Sequence, residues 1–303
     1  MTDPVGQDAH EVTPRVAIVI VNHNTRDDVV QCLASLPDAG ADEIVVVDCG
    51  SSDGSAEAVR ERHPDVTVLE LANIGYGQGA NAGMQATSAP LVAVANADTR
   101  FDRDALTILA EALEQSPDVA AAGPQVRYPD GRRQASARTF PTLGQAAGHA
   151  LFGLWWPDNP WTRAYRQSDL DPDRPRDVDW LSGCALLLRR AAFDQIGGFD
   201  PGYWMYVEDV DLGYRLRQAG WRIRFEPAAG VEHEVGASAG QKRSQMVIAH
   251  ARSLDRFYGR AYASGPGRLL QPFVRLGLVL WVGLVLAWTR IVGRRTSRSS
   301  TGE

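Results

Sequence analysis

The amino-acid sequence predicts an α/β fold, in which a largely parallel sheet carries helices on both faces. The first observation is the segment Val16–Val21, an unbroken apolar and mostly β-branched run. Such a run, without polar alternation, is typical of a parallel strand that is covered on both faces. The second observation is that strand-like runs and segments with helical spacing alternate up to Gln115. This alternation predicts βα units, and ligands of such sheets bind at the carboxyl ends of the strands.

Each predicted element rests on its own local pattern. In the first helix apolar residues recur at helical spacing, and Thr25 has the residue type of an N-cap. The first half is expected to contain strands over Val16–Val21, Ile44–Val47, Val66–Leu71 and Leu91–Ala95, and helices over Thr25–Leu36, Ser55–Arg62, Gly79–Thr87 and Asp104–Gln115. The second half is expected to contain a strand over Val178–Arg189, helices over Ala191–Ile196 and Asp209–Gln218, and a strand over Trp221–Phe225. Between the halves, Gly123–Asp179 lacks strong periodicity, and we interpret it as an excursion that faces the substrate.

The composition excludes several classes of protein. The chain has 303 residues, of which 44% are hydrophobic and 22% charged, and its formal net charge of -6 argues against nucleic acid as a partner. The cysteines Cys32, Cys49 and Cys184 are far apart and lack CxxC spacing, so neither a disulfide framework nor a zinc knuckle is expected. Residues 1–14 are polar and lack the apolar core of a signal peptide, and we expect a disordered lead-in there. These features favour a protein of the reducing cytoplasm.

The C-terminal part of the chain is apolar and basic. Leu276–Trp288 is an uninterrupted run of apolar and glycine residues, which as a helix covers only about 20 Å of the ~30 Å hydrocarbon core. The basic residues around this run are Arg268, Arg275, Arg290, Arg294, Arg295 and Arg298. Residues 263–303 are therefore expected to form a membrane-associating tail at the anionic inner face of the cell membrane. Spanning the bilayer, lying on its surface and packing on the protein core all stay open.

Two loops at predicted strand ends have the composition of a nucleotide site. After the second strand, Asp48 can accept hydrogen bonds from a base or a ribose, and Gly50 and Gly54 allow tight turns. The segment Asn73–Gly83 contains four glycines and two asparagines, and Asn81 can present its amide from the following helix. Neither loop carries the G-x-G-x-x-G fingerprint or a Walker A lysine. A plain turn and helix cap would also explain the first loop.

A further strand end carries candidate ligands for a cation. Asn96 and Asp98 are two residues apart, so strand alternation places them on the same side. Oxygen donors at this spacing suit Mg²⁺ or Mn²⁺, which share ligands with substrate phosphates. His233, which lies 24 residues after Asp209, is a candidate nitrogen ligand of the same ion. An ordinary core or surface histidine is the alternative.

The segment Trp204–Leu212 combines an aromatic lead-in with the carboxylates of Glu208, Asp209 and Asp211. Burying a carboxylate against aromatic residues is costly unless a partner compensates, so such groups usually have a task. Asp209 would lie near the N-terminus of a helix, where free N–H groups and the helix dipole stabilise its charge. An acidic helix start without further function is the alternative.

Taken in order, the motifs resemble those of family-2 inverting glycosyltransferases with the GT-A fold. The pattern comprises V-x-I-V-N-x-N, D-x-G-S-S-D-G-S, N-x-G-[FY]-G-x-G-x-N-x-G, N-x-D and W-L-S-G…R-R…G-G-F-D…E-D-V-D-L…G-W. It extends over Val16–Ser238, about three quarters of the chain. The segments Asn159–Gln167, Trp180–Gly183 and G-G-F-D-P-G-Y-W-M-Y-V-E-D-V-D-L-G resemble, more narrowly, actinobacterial rhamnosyltransferases that act on polyprenyl-diphosphate-linked N-acetylglucosamine.

The resemblance implies a GT-A domain over residues 15–262 and the tail over residues 263–303. Within the domain, residues 15–122 would form the Rossmann-like nucleotide-sugar half of a mixed sheet, and residues 123–262 the acceptor-binding and catalytic half. The implied reaction moves L-rhamnose from dTDP-rhamnose to a polyprenyl-diphosphate-linked N-acetylglucosamine, in synthesis of the cell-wall linker or a surface polysaccharide. The implied cofactor is a divalent cation, Mg²⁺ or Mn²⁺. The implied partners are the nucleotide-sugar donor, the lipid-linked acceptor and the cytoplasmic membrane surface, and a homodimer stays open.

Carried over residue by residue, the resemblance implies a role for each motif. The donor would be held by Asn22, Asn24, Asp48, Asp53, Asn73, Gly75, Asn81, Asn96 and Asp98. The acceptor would be bound by Trp180, Gly183 and Tyr206, and the metal by Asp98 and His233. Asn96 stands where the first aspartate of the usual D-x-D motif lies. Asp209 would be the catalytic base, with Glu208 and Asp211 in orienting roles.

Two other interpretations stay open. One is a family-2 transferase that uses another nucleotide sugar, such as one carrying galactofuranose, glucose or mannose, and another acceptor. The other, from a different class, is a nucleotide-sugar-binding protein without catalysis. The presence of Asp48, Asp98 and Asp209 disfavours this second interpretation.

Overall fold

The computed structural model of the chain describes residues 15–140, 171–234, 243–262 and 267–299, together with 144–145, 148, 152, 155–156 and 158–166. The predicted disordered lead-in, residues 1–14, lies outside the described residues. Parts of the predicted substrate-facing excursion and the last residues of the predicted tail lie outside them as well.

A nine-stranded mixed sheet forms the centre of the described fold. Its strands are β1 (Val16–Asn22), β2 (Glu43–Cys49), β3 (Thr67–Leu71), β4 (Leu91–Asn96), β5 (Thr99–Phe101), β6 (Val119–Arg127), β8 (Arg176–Val178), β10 (Ala185–Arg189) and β11 (Arg222–His233). Hydrogen-bonded neighbours follow the order β3-β2-β1-β4-β10-β6-β11-β5, and β8 pairs with β11. Strands β1 to β4 are parallel, whereas β10 runs antiparallel to both β4 and β6. A small antiparallel ribbon joins β7 (Ala137–Arg138) to β9 (Trp180–Leu181).

Helices cover both faces of this sheet. They are α1 (Arg26–Ser35), α2 (Ser55–Arg62), α3 (Tyr76–Gln85), α4 (Ala105–Glu114), α5 (Pro160–Arg166), α6 (Arg190–Gln195), α7 (Glu208–Gln218), α8 (Arg243–Ala261) and α9 (Gly267–Ser299). The buried residues form two hydrophobic clusters, and consecutive residues of β1 enter opposite ones, Ile18 with Leu109 and Val19 with Met84. The unbroken apolar run in the sequence therefore reflects a strand with two buried faces, and the predicted α/β fold is confirmed.

The parallel strands bring the predicted polar residues to one edge. In the β1–β2 ladder Asn22 is opposite Asp48, and in the β1–β4 ladder Val21 is opposite Asn96. Because parallel strands run in the same direction, these carboxyl ends lie side by side. The loops that follow them form the edge at which ligands of α/β sheets bind.

The second half differs most from the sequence-based expectations. The single strand predicted over Val178–Arg189 is wrong, because the chain forms three short strands there, β8, β9 and β10. The break falls at Ser182 and Gly183, whose backbone N–H groups donate outside any strand, to Ser136 O and to Asp209 Oδ2. Strand β6 was not expected, since its alanine-rich sequence gives a weak apolar signal. Strand β11 continues to His233 through a bulge, well past the predicted end at Phe225.

Two helix starts also differ from expectation. Thr25 lies at the N-cap position of α1, but its hydroxyl donates to Asn22 Oδ1 at 2.6 Å and does not cap the helix. Helix α3 begins at Tyr76, three residues before the predicted Gly79, because Gly75 adopts φ +95° and turns the chain into the helix. Both differences arise from contacts across loops, which local sequence patterns do not contain.

The C-terminal helices form a pair. Helix α8 was not expected from the sequence, and α9 lies along it with an Arg275 Nε to Asp255 Oδ1 ion pair of 2.8 Å and a Tyr258 hydroxyl that donates to Gly267 O at 2.7 Å. Within the described residues, Gly267–Ala287 is the one segment long and apolar enough to cross a membrane, with a mean hydropathy of 1.9 and none of its apolar window buried. Length and composition alone do not decide between spanning a bilayer and lying on its surface.

Candidate active site

The loops after β1 and β2 are held together by side chains predicted to bind the donor. Asn22 donates to Asp48 Oδ2 at 2.9 Å, and the backbone N–H of Ser51 donates to Asp48 Oδ1 at 2.8 Å. Both Asn22 and Asp48 are buried. These two residues therefore shape the loop that would face a nucleotide, and their side chains are already engaged with each other.

Asn24 and Asp53 lie on the open side of the same loops. Asn24 adopts φ 53° and accepts from the backbone N–H of Ser52 at 2.8 Å. Asp53 accepts from the backbone N–H of Arg26 at 2.9 Å. Burial opposes ionisation of Asp53, but hydrogen bonds from Ser55 and from Arg26 N–H outweigh it and lower the pKa of this carboxyl. An open cleft of ≈ 360 Å³ is lined by Asn24, Thr25, Arg26, Asp27, Asp28 and Asp53.

The glycine-rich loop lies directly against the carboxylate segment. A Cβ on Gly75 would come within 2.2 Å of Trp204 O, and the backbone N–H of Tyr76 donates to the same oxygen at 3.2 Å. Only glycine allows this approach at a φ of +95°. Asn73 accepts from the backbone N–H of Gly75 at 3.3 Å. This loop, predicted to bind the donor, therefore contacts the segment predicted to be catalytic.

Asn81 has a bracing role in the structure. Its Nδ2 donates to Phe199 O at 2.8 Å, and its Oδ1 accepts from Phe199 N–H at 2.9 Å. The amide thus pairs with backbone 118 residues away, in place of the ribose or diphosphate contact expected from the sequence. Contact of Asn81 with the donor stays a prediction, and it is disfavoured because both amide atoms already bond to the Phe199 backbone.

Asp98 and His233 meet at the end of β4, as the sequence predicts. Their Oδ1 and Nε2 atoms are 3.3 Å apart, and both side chains are largely buried. Asn96 Nδ2 lies 3.3 Å from the same His233 nitrogen, and Gln134 Oε1 lies 3.0 Å from the other ring nitrogen. Burial lowers the pKa of His233, but hydrogen bonds to Asp98 and Cys184 outweigh it and raise this pKa to about 10. A cation that binds both side chains must displace that proton.

The predicted catalytic carboxylates follow a strained turn. Tyr206 and Val207 both adopt left-handed backbone conformations, with φ 66° and 69°. For a β-branched valine this conformation is rare, and each such residue costs on the order of 1–3 kcal/mol. Helix α7 begins immediately afterwards at Glu208. The strain therefore lies at the point that sets the direction of the first helical turn.

Asp209 is partly exposed and held by backbone amides. Gly183 N–H donates to Asp209 Oδ2 at 2.9 Å, and Val210 N–H donates to Oδ1 at 2.8 Å. Burial raises the pKa of the Asp209 carboxyl, and the two backbone hydrogen bonds oppose this rise without cancelling it. A carboxylate with a raised pKa is a better proton acceptor than an ordinary aspartate.

Glu208 and Asp211 are buried and differ in their partners. Burial and the neighbouring charge of Asp209 raise the pKa of Glu208 to about 8, and its Oε2 has no hydrogen-bond partner among the described residues. Asp211 is paired on both oxygens, with Arg215 Nε at 2.6 Å and with Arg260 Nε at 2.9 Å. Asp211 thus anchors the helix start, and the orienting role expected for it stays a prediction.

The predicted acceptor residues are placed unequally. Gly183 contacts Asp209 directly. Tyr206 precedes Asp209 by three residues and is half-buried. Trp180 is buried, with Nε1 donating to Thr139 O and with Arg138 stacked over its ring at 5.0 Å. Trp180 therefore packs within the protein, and its binding of the acceptor stays a prediction that this burial does not favour.

Some residues of the site were missed by reasoning from the sequence. Tyr76 donates its hydroxyl to Gly183 O, and Gln134 orients the His233 ring. Arg260 of α8 pairs with Asp211. The tyrosine of the glycine-rich motif was the one available signal, whereas Gln134 and Arg260 lie in segments without a recognisable pattern.

Fold and site together define a glycosyltransferase. Residues 17–197 match the model of glycosyl transferase family 2, and residues 169–235 match that of the N-terminal domain of galactosyltransferase. The chain belongs to glycosyl transferase family 2. The N-acetylglucosaminyl-diphospho-decaprenol L-rhamnosyltransferase of Mycobacterium tuberculosis H37Rv is 40% identical over 256 residues, which are 80% of this chain and 83% of that protein. A rhamnosyltransferase of Escherichia coli K12 is 31% identical over 125 residues, 41% of this chain and 44% of that protein.

Solved structures agree on the fold. A mannosyltransferase from Pyrobaculum calidifontis, in complex with GDP-Man and Mn²⁺, has a TM-score of 0.56 at 18% identity and covers 97% of this chain and 77% of its own. GalNAc-T7 with UDP, GalNAc and Mn²⁺ has a TM-score of 0.58 at 16% identity and covers 92% of this chain and 57% of its own. The GT-A fold expected from the motifs is thereby confirmed.

The raised pKa of Glu208 predicts a pH-dependent stability. The folded protein holds this proton more tightly than the unfolded chain, so the contribution is fully present below about pH 4.5 and is lost as pH rises through about 8. We expect the free energy of unfolding of Glu208→Gln to fall less than that of the wild type over this interval. Denaturant titrations at several pH values measure the difference. Glu57→Gln, on the exposed surface of α2, is the control, and parallel wild-type and Glu208→Gln curves would contradict the assignment.

Proposed function

We propose that the chain transfers L-rhamnose from dTDP-rhamnose to a polyprenyl-diphosphate-linked N-acetylglucosamine. The observation that carries the proposal is the 40% identity, over most of both chains, to the mycobacterial N-acetylglucosaminyl-diphospho-decaprenol L-rhamnosyltransferase. The dTDP-linked donor follows from the resemblance of the motifs to actinobacterial rhamnosyltransferases. The product would enter the synthesis of a cell-wall linker or a surface polysaccharide.

Asp209 is the proposed catalytic base. Transfer with inversion needs in-line attack by an acceptor hydroxyl on the anomeric carbon, and a single base suffices because the leaving diphosphate requires no proton. The base must reach the hydroxyl at about 2.6–3.2 Å. The partial exposure of Asp209, its raised pKa and its fixed hydrogen bond to Gly183 support this role. Gly183 N–H keeps the carboxylate oriented while the proton moves to it.

A divalent cation is the proposed cofactor, and Asp98 and His233 are its proposed protein ligands. Neighbouring ligands of an octahedral ion with bonds of 2.0–2.1 Å lie about 3 Å apart, close to the 3.3 Å between Asp98 Oδ1 and His233 Nε2. No group of three or more His, Cys, Asp or Glu side chains suited to a metal occurs in the described part of the chain, which fits an ion that also binds the donor diphosphate and water. When bound, the cation neutralises charge on the leaving diphosphate. Both structural neighbours contain Mn²⁺, which adds support.

Attachment of α9 to the inner face of the cell membrane is also proposed. Its apolar residues are exposed, with Leu269, Phe273 and Leu284 each at least 70% accessible. An apolar helix face of this size is costly in water and is stabilised by a bilayer. A lipid-linked acceptor would present its diphosphate at the same surface.

Product analysis tests the proposed reaction. Purified protein is incubated with dTDP-rhamnose, Mg²⁺ or Mn²⁺ and a polyprenyl-diphosphate-N-acetylglucosamine analogue, with UDP-galactofuranose, a glucose donor and a mannose donor in parallel. We expect a rhamnosyl product with the first donor. Turnover of another donor without rhamnosyl transfer would reject the rhamnosyl assignment and keep the glycosyltransferase.

Asp209→Asn is expected to remove transfer and to keep donor binding. The amide retains the shape of the side chain but cannot accept the proton, so kcat should fall by a factor of about 10²–10⁴. Calorimetric titration with the donor nucleotide should give an unchanged Kd. Asp38→Asn, at an exposed ion pair with Arg103, is the matched control. Near-wild-type kcat in Asp209→Asn would remove the base assignment.

Asp98→Asn is expected to weaken the response to the cation. Loss of one ligand charge should raise the Mn²⁺ concentration at half-maximal rate by about tenfold or more, since even outer-shell changes at metal sites cost 10- to 100-fold in affinity. Glu234→Gln, an exposed carboxylate next to His233, is the control and should respond like the wild type. Full activity of the wild-type protein after treatment with EDTA would contradict the metal assignment.

A further inference from the structure

Helix α8 contacts the segment before Asp209 at several separate points. Residues 200–207, here called the catalytic turn, connect the end of the G-G-F-D motif to α7. Ser253 donates its hydroxyl to Met205 O at 2.9 Å. Arg256 Nη2 pairs with Asp200 Oδ1 at 2.9 Å, and Arg260 pairs with both Asp200 and Asp211. Helix α8 therefore contacts the first residue of the catalytic turn, a residue within it and a residue of α7 just after it.

These contacts lie on one face of α8. Ser253, Arg256 and Arg260 are three and four residues apart, the spacing at which side chains share a helix face. His250, three residues earlier, continues the same stripe, and its ring lies 5.3 Å from that of Tyr206. One face of α8 thus packs against the catalytic turn and the start of α7.

The turn needs an external support because its backbone is strained. Tyr206 and Val207 both have left-handed conformations, which persist only where the surrounding structure determines them. The Ser253 hydrogen bond fixes the carbonyl of Met205, the residue directly before this pair. Arg260 pairs with Asp211, which is fully buried and follows the pair by four residues. Both ends of the strained pair are therefore fixed by α8.

Helix α8 also contacts α9. The His250 ring lies 6.1 Å from the Trp281 ring in an edge-to-face arrangement, so His250 is located between Trp281 and Tyr206. Arg275 of α9 forms an ion pair with Asp255 of α8. A continuous set of contacts thus connects the apolar helix with the residue pair that precedes Glu208 and Asp209.

We propose that α8 is a positioning element for Asp209, and that Trp281 and His250 extend its action to α9. Ser253, Arg260 and His250 do not touch the reacting groups; they act by fixing the catalytic turn. The link to α9 rests on the proposed attachment of that helix to a bilayer, whereas the positioning by Ser253 and Arg260 does not. Attachment of α9 then orders the site as well as bringing it to the lipid-linked acceptor.

Steady-state kinetics of full-length variants test the positioning. We expect Arg260→Gln and Ser253→Ala to lower kcat by about 10- to 100-fold with an unchanged KM for the donor, because misplacement of a catalytic group by about 1 Å costs up to 10²-fold. Arg252→Gln, the same substitution at an exposed position of the same helix, is the control and should keep the wild-type kcat. Arg260→Lys keeps the charge and should recover most of the lost rate. A role limited to stability would lower the melting temperature and leave kcat of the folded fraction unchanged.

The link to α9 is tested with a short-chain, water-soluble acceptor analogue, which makes turnover independent of membrane attachment. Trp281→Ala is expected to lower kcat by about threefold to tenfold, and Leu284→Ala, which removes an exposed apolar residue of the same helix, should leave it unchanged. The link would be overturned if kcat of Trp281→Ala fell no further than kcat of Leu284→Ala, including the case in which both keep the wild-type kcat.

Wild-type kcat in both Arg260→Gln and Ser253→Ala, or a raised donor KM with unchanged kcat, would overturn the positioning role. If Arg260→Gln does not fold, Ser253→Ala, which removes a single hydroxyl, decides the outcome. All rates are expressed relative to the wild type with whichever donor the wild type turns over. Absence of rhamnosyl product would therefore reject the proposed donor and leave these ratios interpretable.

Discussion

The hydrogen bond from Gly183 N–H to Asp209 Oδ2 is the interaction on which the rest of the site depends. Gly183 lies just before β10, which pairs with β4 and β6 near the middle of the sheet. A Cβ at Gly183 would lie 3.3 Å from Asp209 Cβ, so a larger residue would crowd the carboxylate. The amide also replaces water that burial removes from Asp209, and it does so without adding a charge. A residue next to a central strand of the sheet therefore helps to fix the position of the Asp209 carboxylate.

The neighbouring carboxyl groups of Glu208 and Asp209 can then differ in protonation state. Glu208 is buried beside the charge of Asp209 and holds its proton more tightly than an ordinary glutamate, whereas Asp209 is partly exposed and bound by two backbone amides. The strained turn of Tyr206 and Val207 lies directly before both residues, of which Glu208 is buried and Asp209 is partly exposed. The glycine-rich loop and α8 both contact the catalytic turn, so the proposed donor side, the proposed base and the C-terminal helices form one connected structure.

Much of the fold of residues 15–122 could be predicted from the sequence, because its strands are apolar runs and its polar residues fall at strand ends, as with Asn22, Asp48 and Asp98. The meeting of Asp98 and His233 was also predictable from the motifs. The pairing of Asn81 with the Phe199 backbone and the burial of Trp180 could not be predicted. A partner 118 residues away, as for Asn81, leaves no local pattern in the sequence. Strand β6 is rich in alanine, so it lacks the apolar pattern that identifies a strand. Helix α8 was not expected either, although its sequence is amphipathic. The contacts of Asn81 and Trp180 are determined by burial and by partners distant in the sequence.

The central claim is that a single carboxylate, Asp209, activates the acceptor for direct displacement at the anomeric carbon. The anomeric configuration of the transferred sugar tests it most directly, by NMR of the product formed by the wild-type protein from a donor of known configuration. Direct displacement predicts that the configuration of the product is opposite to that of the donor. Retention of the donor configuration would require a covalent intermediate or another route, and would contradict a mechanism in which Asp209 acts only as a base.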